Sequence, residues 1–138
     1  MRRSARAVVV ALALGCVAIA AGCGGQGPQP PPGLDEAQLA GWRAYVDLDC
    51  GSCHGEAREG KRSGPPLRGL AEHWTAEQLV SYLVDPDAMV RANPRLAYKA
   101  EQYALGMPSV SGKTPGYAER AREETLRALA GYLLVDIE

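Results

Sequence analysis

The sequence reads as an all-α domain with long loops, and three observations carry that reading. Two capping boxes, Asp35 with Gln38 and Thr75 with Gln78, each open an apolar pattern at helical spacing. Two later helix starts have the form of a capping residue followed by proline, at Asn93-Pro94 and Thr114-Pro115. A final stripe places Arg122, Leu126, Leu129 and Leu133 at i, i+4, i+7 and i+11.

Taken in order, the 138 residues begin with Arg2, Arg3 and Arg6 ahead of an uncharged run over 7–22. That is a basic n-region followed by an h-region, so residues 1–22 are expected to be a signal peptide. The run is shorter than the roughly 20 residues that a spanning helix needs. It ends "AIAAGCGG", which resembles a bacterial lipoprotein signal and would leave Cys23 as a lipidated N-terminus. Ala18 and Ala20 also offer an A-x-A cleavage site, and an uncleaved anchor is a third outcome. All three carry the domain across the inner membrane.

Residues 23–33 are rich in Gly and Pro, cannot pack a core, and read as a tether. One small domain, 34–138, follows without internal repeats. Its first helix should run from about Glu36 to Leu48, with Leu39, Trp42, Val46 and neighbouring Ala and Tyr residues recurring at helical spacing. The stretch from Gly55 to Leu70 is loop, dense in Gly, Pro and charge. From the box at Thr75, Leu79, Leu83 and the neighbouring Val80 and Val84 supply an apolar face until Asp85-Pro86 stops the helix, and Trp74 can staple onto Leu79. A short helix over about Pro94 to Tyr103 and a last one from about Pro115 to Leu134 complete the domain.

The chemistry is concentrated in "DLDCGSCHGEA". Of four cysteines, Cys16 falls in the leader and Cys23 at its end, so Cys50 and Cys53 are the pair left in the domain. Four readings of C-x-x-C-H compete. A zinc site wants two further ligands, and the only other Cys or His in the domain is His73. A redox dithiol belongs between a strand and a helix, and export disfavours reduced thiols. A short disulfide is the third. The fourth is covalent haem: the two thiols reach the two vinyl groups and His54 puts an imidazole under the iron. The chain has no Phe and a modest apolar complement, which a buried apolar plate would make good. A sixth ligand to the iron would come from Met107 in "LGMPSV", with Met89 and His73 as the weaker candidates.

From Glu36 to Leu134 the chain resembles a class I monohaem cytochrome c of the bacterial type. The resemblance rests on "CGSCH", "GPPLRGL", "GMPSV" and "LRALAGYLL". It implies an all-α fold wrapped around one covalent haem c, with thioethers at Cys50 and Cys53 and axial ligands His54 and Met107. It implies also that the Pro65 carbonyl accepts a hydrogen bond from the proximal imidazole. Gly41 and Tyr45 match the first-helix packing residues, and Leu129 and Tyr132 those of the last helix. With three lysines, the chain departs from the dense lysine ring of mitochondrial members.

The expected function is therefore electron transfer by a membrane-tethered periplasmic protein, its partners being redox proteins and, through Cys23, the membrane. A haem-bearing subunit of a larger oxidoreductase and a haem-based ligand sensor are the alternatives. No substrate pocket with acid-base residues is legible, so an enzyme acting alone is not expected, and neither is a nucleic-acid partner. Without the leader's three arginines, 12 basic residues face 16 acidic ones. The basic residues collect in 58–68 and 91–113, and if both segments border the haem opening they form a positive rim.

Overall fold

In the computed structural model, residues 27–103, 106–110 and 123–136 are described. The signal-peptide run, Cys23, Lys113, Thr114, Pro115 and Arg122 lie outside them. Among the described residues there are six α-helices and no strand: α1 (Glu36–Asp47), α2 (Cys50–His54), α3 (Ala76–Val84), α4 (Pro86–Ala92), α5 (Pro94–Ala100) and α6 (Glu123–Leu133). A 3-10 turn, Leu70–Glu72, precedes α3. No helix among them is long and apolar enough to cross a membrane.

Both capping boxes close as their sequences require. Asp35 accepts from the Gln38 amide while the Gln38 side chain accepts from the Asp35 amide, and Thr75 and Gln78 repeat the exchange. Asn93 caps α5 through the amides of Arg95 and Leu96, with Pro94 at the first turn. Asp85-Pro86 ends α3 but also starts α4, because the Asp85 carboxylate accepts from the Ala88 amide and Pro86 needs no amide partner there. The expected break is thus a corner between two helices.

The core forms where α1 crosses α6. Its α1 side is Gly41, Ala44, Tyr45 and Leu48: Gly41 and Tyr45 pack where the resemblance implies, while the buried stripe is turned away from Leu39, Trp42 and Val46. Leu39, Trp42 and Val46 lie on its half-buried flanks. Gly41 explains the shift: a Cβ there would stand 2.1 Å from the Ala128 carbonyl oxygen and 2.5 Å from Tyr132 Cβ. Only a residue without a side chain allows the two backbones to come this close. On α6, Leu126, Leu129, Ala130, Tyr132 and Leu133 are buried, and Tyr132 meets Tyr45 edge-on with ring centroids 5.8 Å apart. Helix α3 packs its Leu79 and Leu83 into the same cluster. Trp74 joins from just before α3, edge-on to Tyr82 at 5.4 Å.

Candidate functional site

Helix α2 consists of the C-x-x-C-H motif itself. Asp49 enters it at φ 55, a left-handed conformation that Asp tolerates better than most residues, and Gly55 leaves it at φ 84. Cysteines three apart on a helix share a face. Cys50 and Cys53 are half-buried, unbridged, and both line one cavity. Burial, and then the Asp49 carboxylate, push the Cys50 thiol up to about 12. A thiol so held stays protonated, the opposite of what a redox-active dithiol needs.

His54 is buried, with Nδ1 2.8 Å from the Pro65 carbonyl oxygen. A carbonyl only accepts, so Nδ1 carries the proton and the lone pair resides on Nε2. The imidazole is thereby left with one nitrogen able to bind a metal. The loop carrying Pro65 is built to reach it. Gly60, at φ 85, donates to the His54 carbonyl at 2.7 Å, and Lys61 and Gly64 exchange backbone hydrogen bonds across a tight reversal. Gly64 rides on the motif: a Cβ there would lie 2.9 Å from the Cys53 carbonyl oxygen and 3.1 Å from His54 Nδ1.

The cavity over this ring has a volume of about 460 Å³ and largely apolar walls, among them Leu67, Leu70, Leu79, Leu83, Leu129 and Leu133. That volume suits a cofactor-sized ligand. Two unbridged thiols and one oriented imidazole on the wall of a large apolar cavity fit covalent haem in both donor set and surroundings.

Met107, Met89 and His73 all line the cavity. They differ in how they are held. The His73 side chain is 47% exposed and lies 3.9 Å from the Glu72 carboxylate. Met89 is half-buried on α4. Met107 packs against the buried core cluster, and its loop is tied to the end of α3 by Val110, whose amide donates to the Leu83 carbonyl at 3.0 Å, and by Ser109 Oγ, which donates to the Val84 carbonyl. Val110 itself is buried.

Among the described basic residues of the two segments, Arg62 and Arg91 are exposed and do not border the cavity, and the others divide into three groups. Arg68, Arg95 and Lys99 are exposed and border the cavity. Lys61 turns to the opposite side of α2, donating to the Gly51 and Ser52 carbonyls. Arg58, counted with the rim from sequence, is only 1% exposed and does not border the cavity, so the rim is smaller than the charge pattern implied. Its guanidinium donates to the carbonyls of Tyr132, Leu133 and Val135 at 3.0, 3.2 and 2.8 Å and lies 4.8 Å from the Tyr132 ring centroid. Desolvation lowers its pKa, but arginine starts so high that it stays charged. A second contact absent from the sequence reading is Tyr45 Oη donating to the Gly55 carbonyl at 2.6 Å, which ties α1 to the motif.

Comparison with known proteins gives one family: the cytochrome c family model matches residues 38–135, from within α1 to just past α6. No curated protein and no solved structure matches significantly. The matched span contains the haem-attachment motif at Cys50, Cys53 and His54, the feature through which the family binds covalent haem c. With its all-helical fold and one covalent haem c as cofactor, the chain belongs to the cytochrome c family.

Proposed function

We propose that the haem-based electron transfer of this family is carried out here by a membrane-tethered periplasmic carrier, with His54 and Met107 as axial ligands and a lipid on Cys23 as anchor. The observation that carries the ligand assignment is that Met107 packs against the core on the wall of the cavity that His54 also lines. Bound there, haem iron supplies one-electron redox chemistry. Cys50 and Cys53 fix the cofactor's position. His54 is held in one tautomer by the Pro65 carbonyl, which raises its basicity as a ligand. Met107 supplies a sulfur that favours the ferrous state. Leu79, Leu83, Leu129 and Leu133 exclude water, so little protein or solvent rearranges when an electron arrives.

The anchor rests on the leader, whose "AAGC" sequence and following Gly/Pro tether suit a lipidated N-terminus. The freely diffusing or tethered carrier is favoured over an embedded subunit by the surface. Among the described residues, Val84 and Tyr98 are the large hydrophobics that stand exposed, too little for an extended apolar interface.

Two measurements test the reading. Met107→Ala should abolish the sulfur-to-iron absorption band and lower the midpoint potential; an unchanged spectrum removes Met107 as ligand. Cys23→Ser should move the protein from the membrane to the soluble periplasmic fraction, and unaltered fractionation removes the lipid anchor.

A further inference from the structure

Arg58 is the feature that electron transfer by itself does not require. A charged side chain 1% exposed is rare, and here its hydrogen bonds go to backbone carbonyls. The last carbonyls of a helix lack partners within it and carry the negative end of its dipole, so a cation at the end of α6 is well matched. The backbone of Arg58 stands at φ 60, a left-handed conformation that is unfavourable for a non-glycine residue. That cost is sustained because this turn sends the side chain inward from a loop whose neighbours, Ala57 and Glu59, are exposed.

The same residue is latched on its other side to the haem motif. Its amide donates to the Gly55 carbonyl at 3.2 Å, one residue after His54, and its carbonyl accepts from the Leu67 amide at 2.9 Å, two residues after Pro65. A continuous path therefore runs from the end of α6 through the guanidinium to the Arg58 backbone. From there it passes to Leu67, to the Pro65 carbonyl and to His54 Nδ1. Of the other latches of the loop, Lys61 with Gly64 and Ser63 Oγ with the Cys53 carbonyl bind it to itself or to α2, and Tyr45 Oη holds its first residue, Gly55, to α1. Arg58 fastens it to the α1–α6 core.

We propose that Arg58 is a positioning residue: by pinning the 55–67 loop to the end of α6, it holds the Pro65 carbonyl against His54 and so sets the basicity of the imidazole. The proposal rests on the reading of His54 as iron ligand. Wild-type ferrous holoprotein settles that first, by NMR: a His54 imidazole without the ring-current shifts of a haem ligand would overturn the assignment before any Arg58 variant is made.

The test is exchange of the His54 Nδ1 proton with solvent in Arg58→Met, compared with Leu126→Ala. Leu126 is buried in the same α1–α6 core but does not line the cavity, so its variant reports general destabilisation alone. Exchange in Arg58→Met should be faster than in Leu126→Ala by about fivefold, the factor to which one net hydrogen-bond contribution corresponds. Removing a cation would by itself slow hydroxide-catalysed exchange, so acceleration reports opening of the Pro65 contact. If Arg58→Met does not mature with haem, Arg58→Lys, which keeps the charge and loses the planar fork, is read against the same control. Exchange no faster than in Leu126→Ala would reduce Arg58 to a stability residue and overturn the proposal.

Discussion

Replacing Gly41 by alanine tests the helix crossing on which the haem cavity is built. The added Cβ would stand 2.1 Å from the Ala128 carbonyl oxygen, about 1.4 Å inside an ordinary van der Waals contact of about 3.5 Å. The obstacle is backbone, so α1 and α6 must part. Parting them loosens Ala44, Tyr45, Leu129 and Tyr132 together. Overpacking of this kind costs about 1–3 kcal/mol, and a backbone obstacle puts it at the upper end. Alanine's better helix propensity returns about 1 kcal/mol. A net loss of about 2 kcal/mol lowers Tm by roughly 8–16 °C in a domain of this size. Gly131→Ala is the internal control. It lies on α6, and a Cβ added there would meet nothing within 4 Å, so the same exchange should raise Tm by a few degrees. Thermal melts of both holoproteins by circular dichroism decide the matter: if Gly41→Ala melts at or above the wild-type temperature, the close crossing is wrong.

Other consequences can be measured alongside. Tyr45→Phe loses the hydrogen bond to the Gly55 carbonyl and should cost about 1 kcal/mol at neutral pH in denaturant titrations. Burial raises the pKa values of Tyr45, Tyr82 and Tyr132 above the ordinary phenol value. Folding therefore favours their protonated forms: the stabilisation is full below about pH 10, the unfolded value, and is lost as pH rises beyond it. Urea midpoints measured across that range should fall with pH in wild type and fall less steeply in Tyr45→Phe; parallel curves would exclude Tyr45 as a contributor. Asp35→Ala and Thr75→Ala each remove a capping box and should each cost about 1 kcal/mol. Their losses should add in the double variant, because the caps belong to different helices and share no partner. Ser109→Ala removes one of the two hydrogen bonds that fasten the Met107 loop to α3, and should increase the affinity of the ferric protein for added imidazole in optical titrations.

Much of this was legible because it is local. A capping box joins residues three apart, and Asp35 with Gln38 and Thr75 with Gln78 mark the starts of α1 and α3 to the residue. The C-x-x-C-H motif is equally local, whereas the bond between His54 and the Pro65 carbonyl, across a separation of 11 residues, was expected through the family resemblance alone. What escaped depends on contacts distant in sequence. The buried face of α1 is set by the closeness of α6 at Gly41, which the family resemblance pointed to but hydrophobic spacing cannot register, so by spacing alone Leu39, Trp42 and Val46 looked more central than they are. Arg58 looked like one more charge in a solvated loop because its partners lie 74 to 77 residues away. Helix α2 has five residues and no side-chain cap, too short to leave a periodic trace. Helix α4 was hidden by a signal read in one direction, since an Asp-Pro pair that ends one helix can begin the next.

The central claim, a haem joined to this chain through two thioethers, is tested most directly by intact mass. The protein would be produced with a working attachment apparatus, denatured, and extracted with acidified organic solvent before weighing. The account predicts a mass greater by one haem than that of the Cys50→Ala/Cys53→Ala variant processed in the same way, after allowance for the two substitutions. A protein without that increment, with the pigment in the solvent, would contradict it.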